Sequence, residues 1–134
     1  MLKGFFLGSL LALSMASPLF AEPGDYKDLG GGWSEIGGMA ALDGKLYIIS
    51  QGTLYATTTD GAYKDLGGGW SEIGGMTALD GKLYIISQGT LYETTKDGEY
   101  KDLGGGWSEI GGLTAVSGKL YIISQGTLYR TDVK

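Results

Sequence analysis

From residue 26 onward, short runs of apolar, aromatic and β-branched residues alternate with turns built on glycine. In the middle of the chain Met76–Leu79 is one such run, and Asp80-Gly81 after it is a dipeptide that favours a two-residue hairpin turn. Lys82–Ser87 (KLYIIS) follows, rich in residues that suit a pleated, half-buried surface. Gln88-Gly89 turns the chain again before Thr90–Thr95 (TLYETT), and Asp97-Gly98 turns it before Glu99–Leu103 (EYKDL). Beyond residue 21 no segment keeps helical spacing over several turns. The pattern predicts an all-β domain.

The same pattern occurs three times: Trp33, Trp70 and Trp107 are spaced by a constant 37 residues (70 − 33 and 107 − 70). Residues 26–55 and 63–92 differ only at Ala40 against Thr77, and the third copy departs at Leu113, Val116 and Ser117. The units run over about 26–62, 63–99 and 100–134. Three connections in each are tight, but the fourth, GGGWSEIGG (Gly104–Gly112), is long and rich in glycine. A four-stranded propeller blade has this asymmetry, because the chain must return from its rim strand to the axis. Small residues such as Thr77 and Ala78 suit the crowded first strand.

Asp25–Leu29 reads as a lone fourth strand, and Thr127–Val133 as a third strand with no fourth after it. Pairing the two between chains would hide both edges. Three blades are few for a ring, which typically holds about 4–8. The expected fold is therefore all-β, with three four-stranded blades closing as a six-bladed β-propeller in a homodimer. A β-prism or a β-trefoil is the alternative, since either can be built from three such units in one chain.

The string LDGKLYIISQGTLYETTKDGEYKDLGGGW resembles short-repeat bacterial β-propellers and, more loosely, the tachylectin-like and fucose-binding propeller lectins. The resemblance covers residues 25–134 and implies a propeller ring assembled from chains that each hold fewer blades. It also implies ligand sites lined by Trp, Glu and Arg. Trp70 and Glu72 match the first two, whereas Arg130 is the only arginine and belongs to the last copy alone.

Composition adds a leader and removes several function classes. Met1-Leu2-Lys3 followed by the uncharged apolar stretch Gly4–Phe20, with a small residue at Ala21, has the layout of a signal peptide over residues 1–21. The domain expected after cleavage is 22–134, secreted or periplasmic. Loss of Lys3 takes the net charge from −5 to −6, since 9 basic residues then face 15 acidic ones. An acidic chain without a basic cluster argues against nucleic acid and anionic lipid as partners. No cysteine is present, so disulfides and lipoprotein attachment are excluded.

With neither His nor Cys, the usual general base, thiol nucleophile and zinc ligands are missing. No catalytic residue, metal or cofactor is expected. A glycosidase built on Asp65 and Glu72 is the distant alternative. The GGG runs lack the Lys-Ser or Lys-Thr of a phosphate loop. The repeated constellation is Trp-Ser-Glu-Ile on the long connector: Trp33 with Glu35, Trp70 with Glu72, and Trp107 with Glu109. An indole beside a carboxylate suits a sugar, one covering an apolar ring face and the other accepting hydroxyl protons. Each Trp filling the wedge between blades is the competing reading. Tyr47, Tyr84 and Tyr121, like Tyr55, Tyr92 and Tyr129, are expected in the core. The expected function is a secreted, multivalent, lectin-like module for glycans or a glycosylated surface. A structural or protein-interaction propeller is the alternative.

Overall fold

The computed structural model describes residues 22–133; the expected leader lies outside the described residues. Strands β1 (Ile36–Leu42), β2 (Lys45–Ser50), β3 (Thr53–Thr57) and β4 (Tyr63–Asp65) form one antiparallel meander. β5 (Ile73–Leu79), β6 (Lys82–Ser87), β7 (Thr90–Thr94) and β8 (Tyr100–Asp102) form a second. β9 (Ile110–Val116), β10 (Lys119–Ser124) and β11 (Thr127–Thr131) form a third, with no fourth strand among the described residues. No described residue is helical.

Turn chemistry sets the register. Asp43-Gly44 (φ 51° and 79°) and Gln51-Gly52 (φ 50° and 80°) are both left-handed at the two central positions. That geometry matches the twist of adjoining strands, so β1, β2 and β3 pair without a slip at either turn. The Asp-Gly before β4 behaves differently: the Gly61 N–H donates to the Thr58 carbonyl at 3.0 Å, and Gly61 is left-handed while Asp60 is not.

The blades stack face to face. KLYIIS alternates, so Tyr47 and Ile49, with Leu54, meet Leu83, Ile85 and Trp70 of the second blade. Tyr84, Ile86 and Leu91 meet Leu120, Ile122 and Trp107 in the same way. Each fully buried Leu or Ile contributes roughly 1.5–3 kcal/mol. β1 lies against β5, and β5 against β9, and glycine permits the approach. A Cβ on Gly74 would sit 2.8 Å from Ile110 Cγ1.

Two expected elements come out otherwise. Residues 25–29 are exposed and form no strand, although residues 26–28 repeat the sequence of β4 and β8. A ladder needs a strand partner, and the segment pairs with no strand among the described residues. The first strand of each blade begins at Ile36, Ile73 or Ile110, inside the stretch read as connector, because a bulge carries the glycine pair into the ladder.

Candidate functional site

Each long connector is fixed at both ends. The Asp65 carboxylate accepts the Gly67 N–H at 2.7 Å, which starts the glycine run. Leu54 donates to the Gly67 carbonyl at 2.9 Å, and the Trp70 N–H donates to the Gly52 carbonyl at 3.0 Å. Up to Trp70 the chain therefore follows the blade it is leaving. Ser71 then docks on the next blade: the buried Ser87 hydroxyl donates to its carbonyl at 2.8 Å and accepts its N–H at 3.2 Å. Ser34 with Ser50, and Ser108 with Ser124, repeat the arrangement.

This crossing delivers the indole of Trp70 to two tyrosines of the blade it enters. Trp70 stands edge-on to Tyr92 (centroids 5.6 Å apart, planes at 89°) and to Tyr100 (5.7 Å, 70°), and the two tyrosines meet at 5.6 Å. Trp33, Tyr55 and Tyr63 form the same trio. Over each trio opens a small cup. One, of about 100 Å³, is lined by Gly69, Trp70, Ser87, Gln88, Tyr92 and Tyr100. The first blade's, of about 110 Å³, has Gly32, Trp33, Ser50, Gln51, Tyr55 and Tyr63 at the matching positions. At the third blade Trp107 meets Tyr129 at 5.6 Å, and the cup, lined also by Ser124 and Gln125, measures about 220 Å³.

The structure separates the residues that the sequence paired. Trp70 is 8% exposed and belongs both to the inter-blade core and to the cup wall, so the wedge and site readings meet in one side chain. Trp33 and Trp107 are half-buried. Glu35, Glu72 and Glu109 are exposed, each at φ 46° where the connector bends into the next strand, and none lines these cups. Asp65, the other residue of the suggested carboxylate pair, is held by the Gly67 amide.

Two groups of cup residues were not singled out from sequence. Gln51, Gln88 and Gln125 read as turn residues, yet each lines a cup from a left-handed position. Tyr63 and Tyr100, at the start of the YKDL runs, are exposed third members of the trios. Tyr55, Tyr92 and Tyr129, expected in the core, line the cups, and Tyr92 also packs against the inter-blade core. The signal was the Tyr spacing within each repeat, which only the strand register converts into adjacency.

Elsewhere, burial pushes the Tyr84 phenol up to about 12, helped by the Glu93 carboxylate, which accepts its proton at 3.1 Å. Burial likewise raises Tyr47. The Asp43 carboxylate, 2.6 Å from Lys96 Nζ, raises the ammonium and ties the first blade to the second. A charged cleft of about 370 Å³ lies beside this pair, lined by Lys45, Tyr47, Lys64 and Asp97 among others. The cups themselves carry aromatic faces, amides and hydroxyls, a set suited to binding an uncharged polar ring.

Three antiparallel meanders stacked face to face, with long crossings from rim to inner strand, define a β-propeller architecture. The WD40 β-propeller domain of Doa1 is similar to this chain, with a TM-score of 0.60 at 15% identity over 78% of this chain and 40% of that one. Myxococcus xanthus glutaminyl cyclase matches with a TM-score of 0.50 at 20% identity over 71% of this chain and 47% of its own. PorZ, a surface component of the type-IX secretion system of Porphyromonas gingivalis, matches with a TM-score of 0.50 at 14% identity over 75% and 16%. The chain thus spans less than half the length of each of these structures. At these identities the likeness shows the fold alone. No protein-family model and no curated protein matches the sequence.

Proposed function

We propose that this chain is a secreted, multivalent binding module without catalytic activity, whose cups each take one edge of a sugar ring on a glycosylated surface. The observation that carries the reading is the recurrence of one aromatic cup per blade, with the same residues and nearly the same volume in the first two. Tyr63 and Tyr100 present exposed rings at the mouth, and the amides of Gln51 and Gln88 supply a donor and an acceptor beside them. Glu35, Glu72 and Glu109, exposed on the same connectors, add an acceptor outside each cup. Sites of this size bind weakly alone. Carried together on a ring of six blades made by two copies, they would gain avidity of about 10²–10⁴.

Glycan-array binding by the exported protein tests this, with Gln51, Gln88 and Gln125 replaced together by Ala as the control, since exposed side chains can change without opening the core. Binding that survives the triple change removes the cups from the reading. A second reading, a protein-interaction propeller, is favoured by the burial of Trp70, which leaves little indole face for stacking. Silence on the array together with capture of a defined protein partner would select it. Intact mass of the exported chain tests the leader, with Glu22 as the expected first residue.

A further inference from the structure

We propose that a second copy of this chain docks head to tail on the third blade, its Tyr26–Leu29 segment pairing with β11 and its Tyr26 ring completing the third cup. The inference rests on the two-copy ring of the proposed function and identifies the residues that close it.

Residues 26–29 repeat the sequence of 63–66 and 100–103, which form β4 and β8 and pair onto β3 and β7. In the first blade Tyr55 lies opposite Asp65, Ala56 opposite Lys64 and Thr57 opposite Tyr63. The same register sets Tyr129 opposite Asp28, Arg130 opposite Lys27 and Thr131 opposite Tyr26 of the second copy. The segment is already shaped for this. Asp28 accepts the Gly30 N–H at 2.8 Å as Asp65 accepts that of Gly67. A Cβ on Gly61 would meet the Leu29 carbonyl, as one on Gly98 would meet that of Leu66. Residues 26–29 therefore stand to the first blade as β4 stands to the second, but with Tyr26 89% exposed.

The receiving side is unfinished in the matching way. The third cup has two rings where the others have three, and it is about twice as large. Ile123 and Leu128 are 43% and 65% exposed, while Ile86 and Leu91 at the same repeat positions are 1% and 3% exposed. A Cβ on Gly38 or Gly75 would crowd Met76 or Leu113 at 3.1 or 2.8 Å, yet one on Gly112 would meet nothing within 4 Å. Met39, exposed at the other end, is the residue that would fill this slot. The chain makes the required interface twice internally, and each end carries one half of a third. Head-to-tail contacts of this kind close when the rotation returns to the start, here after two copies and six blades.

One feature of the register is repulsive: Lys27 faces Arg130, where Lys101 faces Glu93 in the second blade. Arg130→Glu should therefore tighten the assembly. For the main test, the absence of native cysteine allows clean cross-linking of the full exported chain. Directly opposed antiparallel residues lie about 4.5–5.5 Å apart at Cα, within disulfide reach. Under mild oxidation, Lys27→Cys and Arg130→Cys variants should each stay unlinked alone, and their mixture should give a reducible dimer. No cross-link in the mixture, with both variants keeping the β-sheet circular dichroism of the parent, overturns the proposal. So does a bridge within one chain of the double variant, or a ladder of species longer than two copies. Gly112→Ala should halve the mass in solution while leaving that spectrum unchanged; an undiminished mass would likewise overturn it. None of these readouts uses a sugar, so a silent glycan array beside a cross-linked dimer rejects the ligand and keeps the assembly.

Discussion

The Ser87 hydroxyl holds Ser71 at two points, donating to its carbonyl at 2.8 Å and accepting its N–H at 3.2 Å. One buried oxygen thus satisfies both backbone groups where the connector lands on the next blade and where Trp70 is aimed. Removing it leaves a donor and an acceptor unpaired. Ser87→Ala is expected to cost about 1–3 kcal/mol in urea unfolding. A loss below about 0.5 kcal/mol, the range of ordinary surface substitutions, would show that water replaces the clamp.

Trp70→Ala should cost about 3–5 kcal/mol, the range for deleting a large aromatic from a core. In a single copy of the chain, as in the Gly112→Ala background, Trp107→Ala should cost less, because its ring is there only half-buried and meets one tyrosine instead of two. Denaturant midpoints of the two variants check the order, and equal losses would contradict it.

Tyr84 sets an alkaline limit. Its folded value near 12 lies above the ordinary tyrosine value of 10.0, mainly through burial and then through Glu93. Above pH 10 the unfolded chain releases this proton while the folded chain keeps it. Its contribution to stability is therefore fully present below about pH 10 and is lost as pH climbs toward 12. Tyr84→Phe should flatten this part of the stability profile, and ultraviolet titration of the parent should show a tyrosine ionising last. A profile unchanged by the substitution would remove Tyr84 as the cause.

Thr94 is fully buried, and its hydroxyl finds no hydrogen-bond partner among the described residues. Replacing an unsatisfied hydroxyl by a methyl removes a desolvation penalty of about 1–3 kcal/mol. Thr94→Val is expected to leave stability equal or higher by thermal unfolding. A clear loss would reveal a partner for that oxygen.

Much of the fold was legible because each repeat states it in local terms. KLYIIS spans β2, β6 and β10 to the residue, and the Asp-Gly pairs (Ser-Gly in the third copy) and Gln-Gly pairs mark the turns around them. The bulged starts at Ile36, Ile73 and Ile110 were not legible, since a glycine pair reads as loop until a neighbouring blade demands close approach. The cup was half legible. Trp70 was visible from its recurrence. Tyr100 and Gln88 reach it only through a register across two hairpins, which spacing along one strand does not reveal. Glu72 follows Trp70 closely in sequence, but the left-handed turn there leads it away from the cup.

Tyr63–Leu66 and Tyr100–Leu103 are the same four residues, so β3 and β7 have no side-chain means of telling them apart. Correct pairing joins Tyr55 to Asp65, 10 residues on (65 − 55), whereas the mistaken partner Asp102 lies 47 residues on (102 − 55). Closing the shorter loop is favoured by roughly 1.4 kcal/mol, about tenfold, on loop entropy alone. Chain length thus decides what sequence leaves undecided. Synthesis improves those odds against Tyr100–Leu103, because β4 leaves the ribosome well before that later copy exists to compete.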